Sequence, residues 1–257
     1  MNIYIPPNIF SAILSLSLPD DLKSNIIVKD SSLIAQLIKE DESGILLLPS
    51  IDLIKNRELY VSRNYGIAFD GMLSNSYLYF AKNETLFEEL FLYGDVSTND
   101  IILTKILFKE RYNIDVKISL ETKSPSFGDR NYLICGNDNL FNGYYSQGIS
   151  VADEIAELID FPYVNYIFAA KEKQTIVNFH EKITDKLDIK IEDNIASYLE
   201  KMQLDKEPSR FITENINSIY FQLLENEIEG LDELLKQTYF HGILTDLFEI
   251  NYVGKVI

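Results

Sequence analysis

"NIIVKDSSLIAQLIKEDESGILLLPSIDL" (25–53) decides the fold class. Its first and later parts, "NIIVK" (25–29) and "GILLLP" (44–49), are short apolar runs of strand length. Between them, "SSLIAQLIKED" (31–41) places apolar residues at 33, 34, 37 and 38, which is helix spacing. Ser31 or Ser32 is the expected N-cap. Strand–helix–strand of this length is a βαβ unit, so the two strands are expected to be parallel and buried. The second strand ends in Pro49-Ser50-Ile51-Asp52, a polar turn that opens a helix. Ligands of open α/β sheets sit outside the carboxyl ends of strands. A polar cluster at such an end is therefore where function is sought.

Further strands are expected at "NIYI" (2–5), "LYVS" (59–62), "GIAFD" (66–70), "NSYLYFAK" (75–82) and "LFLYGD" (90–95). "VKISLE" (116–121), "NYLICG" (131–136) and "YVNYIFAAK" (163–171) complete the set. "TLFEEL" (85–90) reads as a helical turn, and "NDIILTKILFKERYN" (99–113) and "VADEIAELIDF" (151–161) as helices. From about residue 172 the pattern is helical, through 174–187, 191–204, 209–224 and 228–240, with no strand expected. The chain is α/β with a helical tail and no obvious linker. One compatible arrangement is two α/β lobes, the chain passing to the second and back.

Lys and Arg total 23 against 40 Asp and Glu, a net charge of −17. That field repels nucleic acid and anionic membranes, so any anionic ligand must be held by local donors. The single cysteine, Cys135, excludes an internal disulfide and reads as a core thiol. The histidines, His180 and His241, lie apart in helical segments, which argues against a His/Cys metal site. "MNIYIPPNIF" has no signal-peptide pattern, and no apolar run approaches the ~20 residues of a membrane span. A soluble, cytoplasmic protein is expected.

The polar clusters at strand ends are Ser50 with Asp52, then "GDVSTND" (94–100), then "GNDN" (136–139). Ser97, Thr98 and Asn99 precede an amphipathic helix, whose first N–H groups are unpaired and carry partial positive charge. Such a helix start suits a carboxylate, although the same residues are ordinary caps. The 11 glycines form no phosphate loop, and there is no nucleophile elbow and no CxxC.

In order along the chain, "GILLLPSIDLIKN", "IAFDGMLSNSYLYFAK", "STNDIILTKILFKERYNI", "YLICGNDNL", "GISVADEIAELIDFPYVNYIFAAKEK" and "FITENINSIYFQLLENEIEGLDELL" resemble the chorismate dehydratases of the futalosine route to menaquinone. The likeness runs from Ile3 to about Leu235, and the ordered set carries it rather than any single motif. It implies a type II periplasmic-binding-protein-like fold. Lobe I would comprise 1–78 and 177–257, including the helical tail, and lobe II 79–176. It also implies a cytoplasmic carbon–oxygen lyase that converts chorismate to 3-[(1-carboxyvinyl)oxy]benzoate, by proton loss and departure of a ring hydroxyl, with no metal or organic cofactor. Asn8 and Asn75 would orient the ring. Ser11, Ser50, Ser97, Thr98, Asn99 and Asn137 would line or hold a dicarboxylate.

The chain departs from the family pattern in the expected cleft. An ungapped match of "PPNIFSAI" to the family's "VSYLNTLP" puts Phe10 at the asparagine and Ser11 at the threonine. Asn75 stands for a serine, Thr98 for an arginine, Asp100 for a serine and Asn137 for an acid. Losing the arginine removes a bidentate carboxylate partner. Asp100 repels an anion, and an amide at 137 deletes any general-base capacity there. Two other readings stay open: a non-catalytic carboxylate-binding protein of the same fold, and a partner-binding protein whose cleft is plugged by Phe10, Tyr144 or Tyr145.

Overall fold

The computed structural model describes residues 1–82, 87, 89–183 and 185–255. In chain order the strands are β1 (Ile3–Ile5), β2 (Ile26–Val28), β3 (Ile45–Pro49), β4 (Tyr60–Phe69), β5 (Ser76–Tyr79) and β6 (Glu89–Gly94). They continue with β7 (Lys117–Leu120), β8 (Tyr132–Cys135), β9 (Ile149–Ser150), β10 (Tyr163–Ala170), β11 (Ile219–Gln222) and β12 (Asn251–Val253). The α-helices are α1 (Ile9–Ser17), α2 (Asp20–Lys23), α3 (Thr98–Tyr112), α4 (Asp138–Phe141) and α5 (Val151–Ile159). The tail adds α6 (Lys173–His180), α7 (Leu187–Lys201), α8 (Lys206–Asn215) and α9 (Glu225–Phe240).

These elements build two lobes. The first sheet runs β11-β4-β10-β3-β1-β2, with β12 also beside β4. The second runs β7-β6-β8-β5-β9. In the first, β2 and β3 are parallel as expected, but both pair with β1 and not with each other. β2 is the edge strand and is not buried: Val28 is 55% exposed. β10 lies antiparallel between β3 and β4, buried along its whole length. The runs expected as separate strands at 59–62 and 66–70 are one strand, β4.

The connection between β2 and β3 is a 3₁₀ helix (Ser31–Lys39) rather than an α-helix. Its three-residue repeat stacks Ser31, Ile34 and Leu37 along one side. Its N-cap is Asp30, which makes no side-chain cap bond, so the expected serine cap is not formed. The turn after β3 likewise opens a 3₁₀ helix (Ser50–Lys55). Of the helical turn expected at 85–90, residues 85, 86 and 88 lie outside the described residues, and Glu89 and Leu90 begin β6 instead.

Sheet membership differs from the expected division at 78/79 and 176/177. β5 straddles the first boundary, and β10, expected in the second lobe, is a central strand of the first sheet. The reason is burial. "YVNYIFAA" is inaccessible along its whole length, which only an interior strand with helices on its faces achieves.

The tail is helical but not free of strands. α8 stops at Asn215, and Ile219–Gln222 alternates buried and half-buried residues as β11 along β4. β12 lies parallel to the other end of the same β4 edge. Apolar residues at 216, 219, 221 and 223 mimic a continuing helix in the sequence, whereas the open edge of β4 claims them for a strand. α7 packs on α1 and α9 on β10, which returns the tail to the first lobe. No described helix is long and apolar enough to cross a membrane.

Phe10 does not plug a cleft. Its ring is buried against Phe69 of β4, edge-on at 5.0 Å. Tyr145 stacks on Phe211 and Tyr144 meets Phe127. Phe10→Ala should therefore act on stability, lowering the unfolding free energy in urea by about 3–5 kcal/mol.

Asp188, in the first turn of α7, accepts the backbone N–H groups of Phe221 and Gln222 at 2.9 and 3.1 Å. Burial raises its carboxyl from 3.8 to about 6 against the pull of those bonds. The folded state then holds a proton that the unfolded chain releases, so stability should fall as pH rises from 3.8 to about 6. Asp188→Asn keeps the accepting oxygen and should flatten that part of a stability–pH curve.

Candidate ligand seam between the lobes

Three helix starts of the first lobe face the second lobe, and each is met by a side chain from it. α1 is capped by Asn8, whose Oδ1 accepts the Ser11 N–H at 2.9 Å. The next amide, Ile9 N, donates across the seam to Asn137 Oδ1 at 2.7 Å. Asn137 Nδ2 returns a bond to the Pro7 carbonyl at 2.9 Å. A single amide thus clamps the strand–helix turn after β1 from the far side.

The 3₁₀ helix at Ser31 is held by Asp95, at the carboxyl end of β6. Ser31 N donates to Asp95 Oδ1 at 2.9 Å and Ser31 Oγ to Asp95 Oδ2 at 2.6 Å. The Ser31 hydroxyl also lies 3.0 Å from the Tyr166 hydroxyl, which accepts from Asn75 Nδ2 at 3.2 Å. The third start, Ile51 N, donates to Asn99 Oδ1 at 2.9 Å. Asn99 Nδ2 lies within reach of Asn165 O (2.7 Å), Asn165 Oδ1 (2.9 Å), Tyr163 Oη (3.0 Å) and Ser50 Oγ (3.3 Å). Beside it the Thr98 hydroxyl bonds to Asp52.

The charges in the seam are acidic and desolvated. Asp100 is buried as the third residue of α3, where its carboxylate accepts Ser97 N at 2.8 Å and Ser97 Oγ at 2.5 Å. Burial pushes the Asp100 carboxyl up, while bonds from Ser97, Ser76 and the Cys135 thiol pull it down. Asp95 is also raised by burial, against its bonds to Ser31, and Asp100 and Asp30 add to the rise. Burial holds the Cys135 thiol well above its ordinary range, and the two aspartates reinforce this. It is a core thiol and no nucleophile. Asp52 is raised by burial too, opposed by Thr98 and Lys55.

Asn8, Ser11, Asn75, Ser50, Thr98, Asn99 and Asn137 all lie along this seam or at the helix starts that face it. Ser97 differs: its hydroxyl is engaged with Asp100 in a capping box. The sequence reading missed Asp95, Tyr163, Asn165 and Tyr166. Asn165 was signalled by being a polar residue inside an otherwise apolar buried strand. Asp95 lies within "GDVSTND", directly after the strand, and an acid at a strand end is the signal that would point to it.

Two buried polar atoms at the start of α1 have no hydrogen-bond partner, Asn8 Nδ2 and Ser11 Oγ. At another point of the seam a cavity of about 540 Å³ opens, with Asp30, Ser32, Asp95 and Glu121 in its wall. Among the described residues, no cluster of His, Cys, Asp and Glu is placed to hold a metal ion. The seam leaves an amide and a hydroxyl unpartnered, while Asp95 and Asp100 are already hydrogen-bonded.

No family model matches the chain, and no curated protein matches it in sequence. Solved structures do. Protein AF1704 from Archaeoglobus fulgidus is 14% identical with a TM-score of 0.61, over 95% of this chain and 98% of that one. The alkanesulfonate-binding protein SsuA from Xanthomonas axonopodis pv. citri, bound to MOPS, is 8% identical with a TM-score of 0.62, over 96% and 94%. The Candida albicans CA3427 gene product, described as exhibiting the generic periplasmic binding protein fold, is 12% identical with a TM-score of 0.57, over 96% and 92%. The fold is the periplasmic-binding-protein fold. At these identities the likeness concerns architecture, and the chemistry of the seam is this chain's own.

Asn137→Ala should remove both bonds to the turn at Pro7 and Ile9. The expected loss is about 1–3 kcal/mol of stability, read by urea unfolding. Faster hydrogen exchange should appear at the Ile9 amide and spare the edge strand β7.

Proposed function

We propose that this protein binds a small molecule at the seam between its lobes. The observation that carries the reading is the pair of buried, unpartnered groups at the start of α1, Asn8 Nδ2 and Ser11 Oγ. Leaving such groups unpaired in a folded interior costs about 1–3 kcal/mol each. A ligand that accepts from the amide and pairs with the hydroxyl recovers that energy. The fold supports the same conclusion, since the alkanesulfonate-binding relative holds a small molecule, MOPS.

A second reading is a chorismate dehydratase-like lyase, acting in the cytoplasm in menaquinone biosynthesis. It is favoured by the ordered resemblance along the chain and by one structural point: Asn8 and Ser11 are among the residues that the resemblance assigns to the ligand. In that reading Asn8 and Asn75 orient the ring, Ser11, Ser97, Thr98 and Asn99 hold the carboxylates, and Ser50 lines or braces the cleft. Several features weigh against it. The arginine expected at 98 is a threonine. Asn99 Oδ1 already takes the Ile51 amide. Asp95 and Asp100 are carboxyl groups at the same seam, and their oxygens already hold Ser31 and Ser97.

Both readings are tested with purified protein by thermal-shift titration against a panel of uncharged polar metabolites and against chorismate. A chorismate turnover assay runs alongside, followed by absorbance and mass spectrometry. The expected result is a rise in Tm with a member of the uncharged set and no turnover. Conversion of chorismate to the aromatic product would replace the binding reading with the lyase. A flat response to the whole panel, without turnover, would remove both.

A further inference from the structure

The 3₁₀ helix that begins at Ser31 turns its first amide and first hydroxyl toward the second lobe, and both end on one carboxylate. Ser31 N lies 2.9 Å from Asp95 Oδ1, and Ser31 Oγ lies 2.6 Å from Asp95 Oδ2. A paired N–H and O–H on a carboxylate is how a helix start holds an anionic ligand. Here the anion belongs to the protein. We propose that Asp95 is a built-in carboxylate ligand that sets the specificity of the seam: it fills the anion position at Ser31, excludes carboxylate-bearing molecules and leaves the site to an uncharged polar ligand. The inference rests on the seam being the ligand site.

The geometry holds Asp95 in place from its own side. Gly94 adopts a φ of +96°, and a side chain there would run into the Cys135 carbonyl at 2.1 Å. The Asp95 amide donates to that same carbonyl at 3.2 Å. The carboxylate is therefore delivered by a fixed turn at the end of β6. The groups around it are neutral or acidic. The Ser31 hydroxyl leads on to Tyr166 and Asn75. Asp30 and Glu121 share the cavity wall with Asp95, and Asp100 lies close enough to act on Asp95 through its charge. A second carboxylate entering here meets repulsion and finds its donors taken. Among the described residues, the buried side-chain groups left unpartnered in the first lobe are an amide N–H and a hydroxyl, Asn8 Nδ2 and Ser11 Oγ, which suit a carbonyl, ether or hydroxyl oxygen.

The test uses acetate as a stand-in carboxylate, at constant ionic strength, with thermal unfolding as the readout. Asp95→Ala frees the Ser31 amide and hydroxyl. Its Tm should rise with millimolar acetate, while the wild type should respond at least about tenfold more weakly. Asp95→Asn keeps an accepting oxygen on Ser31 and should behave as the wild type. A folded Asp95→Ala protein that ignores acetate would overturn the proposal. So would a wild type stabilised by acetate as strongly as the variant. Should the alanine variant not fold, Asp95→Ser carries the same comparison with the wild type. The acetate response concerns Asp95 alone. A panel in which no small molecule stabilises the wild type would remove the seam reading and leave the acetate result standing.

Discussion

Asn99 is a side chain of one lobe built into the interior of the other. Its oxygen closes the first turn after β3, and its nitrogen reaches the Asn165 side chain and carbonyl of β10. A neutral amide does this well because it both accepts and donates, with no charge to desolvate. The alternatives are poor. An aspartate would accept from Ile51 but repel Asn165 Oδ1, and a leucine would strand several buried polar groups in a dry interior. The relative placement of the lobes follows from this bond and from the Asn137 and Asp95 contacts beside it. One apolar core runs through both lobes, and these directional contacts add to the packing that fixes one arrangement of the two.

The same contacts make the chemistry of the seam legible. A ligand site for anions keeps helix-start amides free and surrounds them with Lys or Arg. Here the amides of Ile9, Ser31 and Ile51 end on Asn137, Asp95 and Asn99. Net charge agrees with this local pattern, since a chain at −17 gives an anion no long-range help. The residues at 98, 100 and 137 each have a partner of their own at the seam. Asp100 bonds to Ser97, Thr98 to Asp52, and Asn137 to the turn at Pro7.

Much of the scaffold was readable from the sequence. Apolar runs of strand length located β1, β2, β3, β6, β8 and β10, and helical spacing located α3, α5 and α9. What escaped was set by tertiary context. Whether a nine-residue segment winds as 3₁₀ or α is decided by what its ends are tied to, and Ser31 is tied to a residue 64 positions away. β11 escaped because Ile216, Ile219 and Leu223 satisfy a helical repeat, and only the open edge of β4 makes them a strand. The site was half readable. Caps and hydroxyls at strand ends stood out, but the partner of each could not be inferred, because a cap satisfied from across a domain boundary looks like one satisfied locally.

The chain enters the second lobe after β4 and returns only with β10, which then takes its place between β3 and β4. The middle of the first sheet is therefore the last of its central strands to be synthesised. Until residue 170 has emerged, β3 and β4 have no common neighbour, and each presents an open apolar edge. The second lobe, built from a continuous stretch of chain, has no such wait. Assembly on the ribosome should then run against the numbering, with the inserted lobe maturing first and the lobe that holds the N-terminus closing around β10 afterwards.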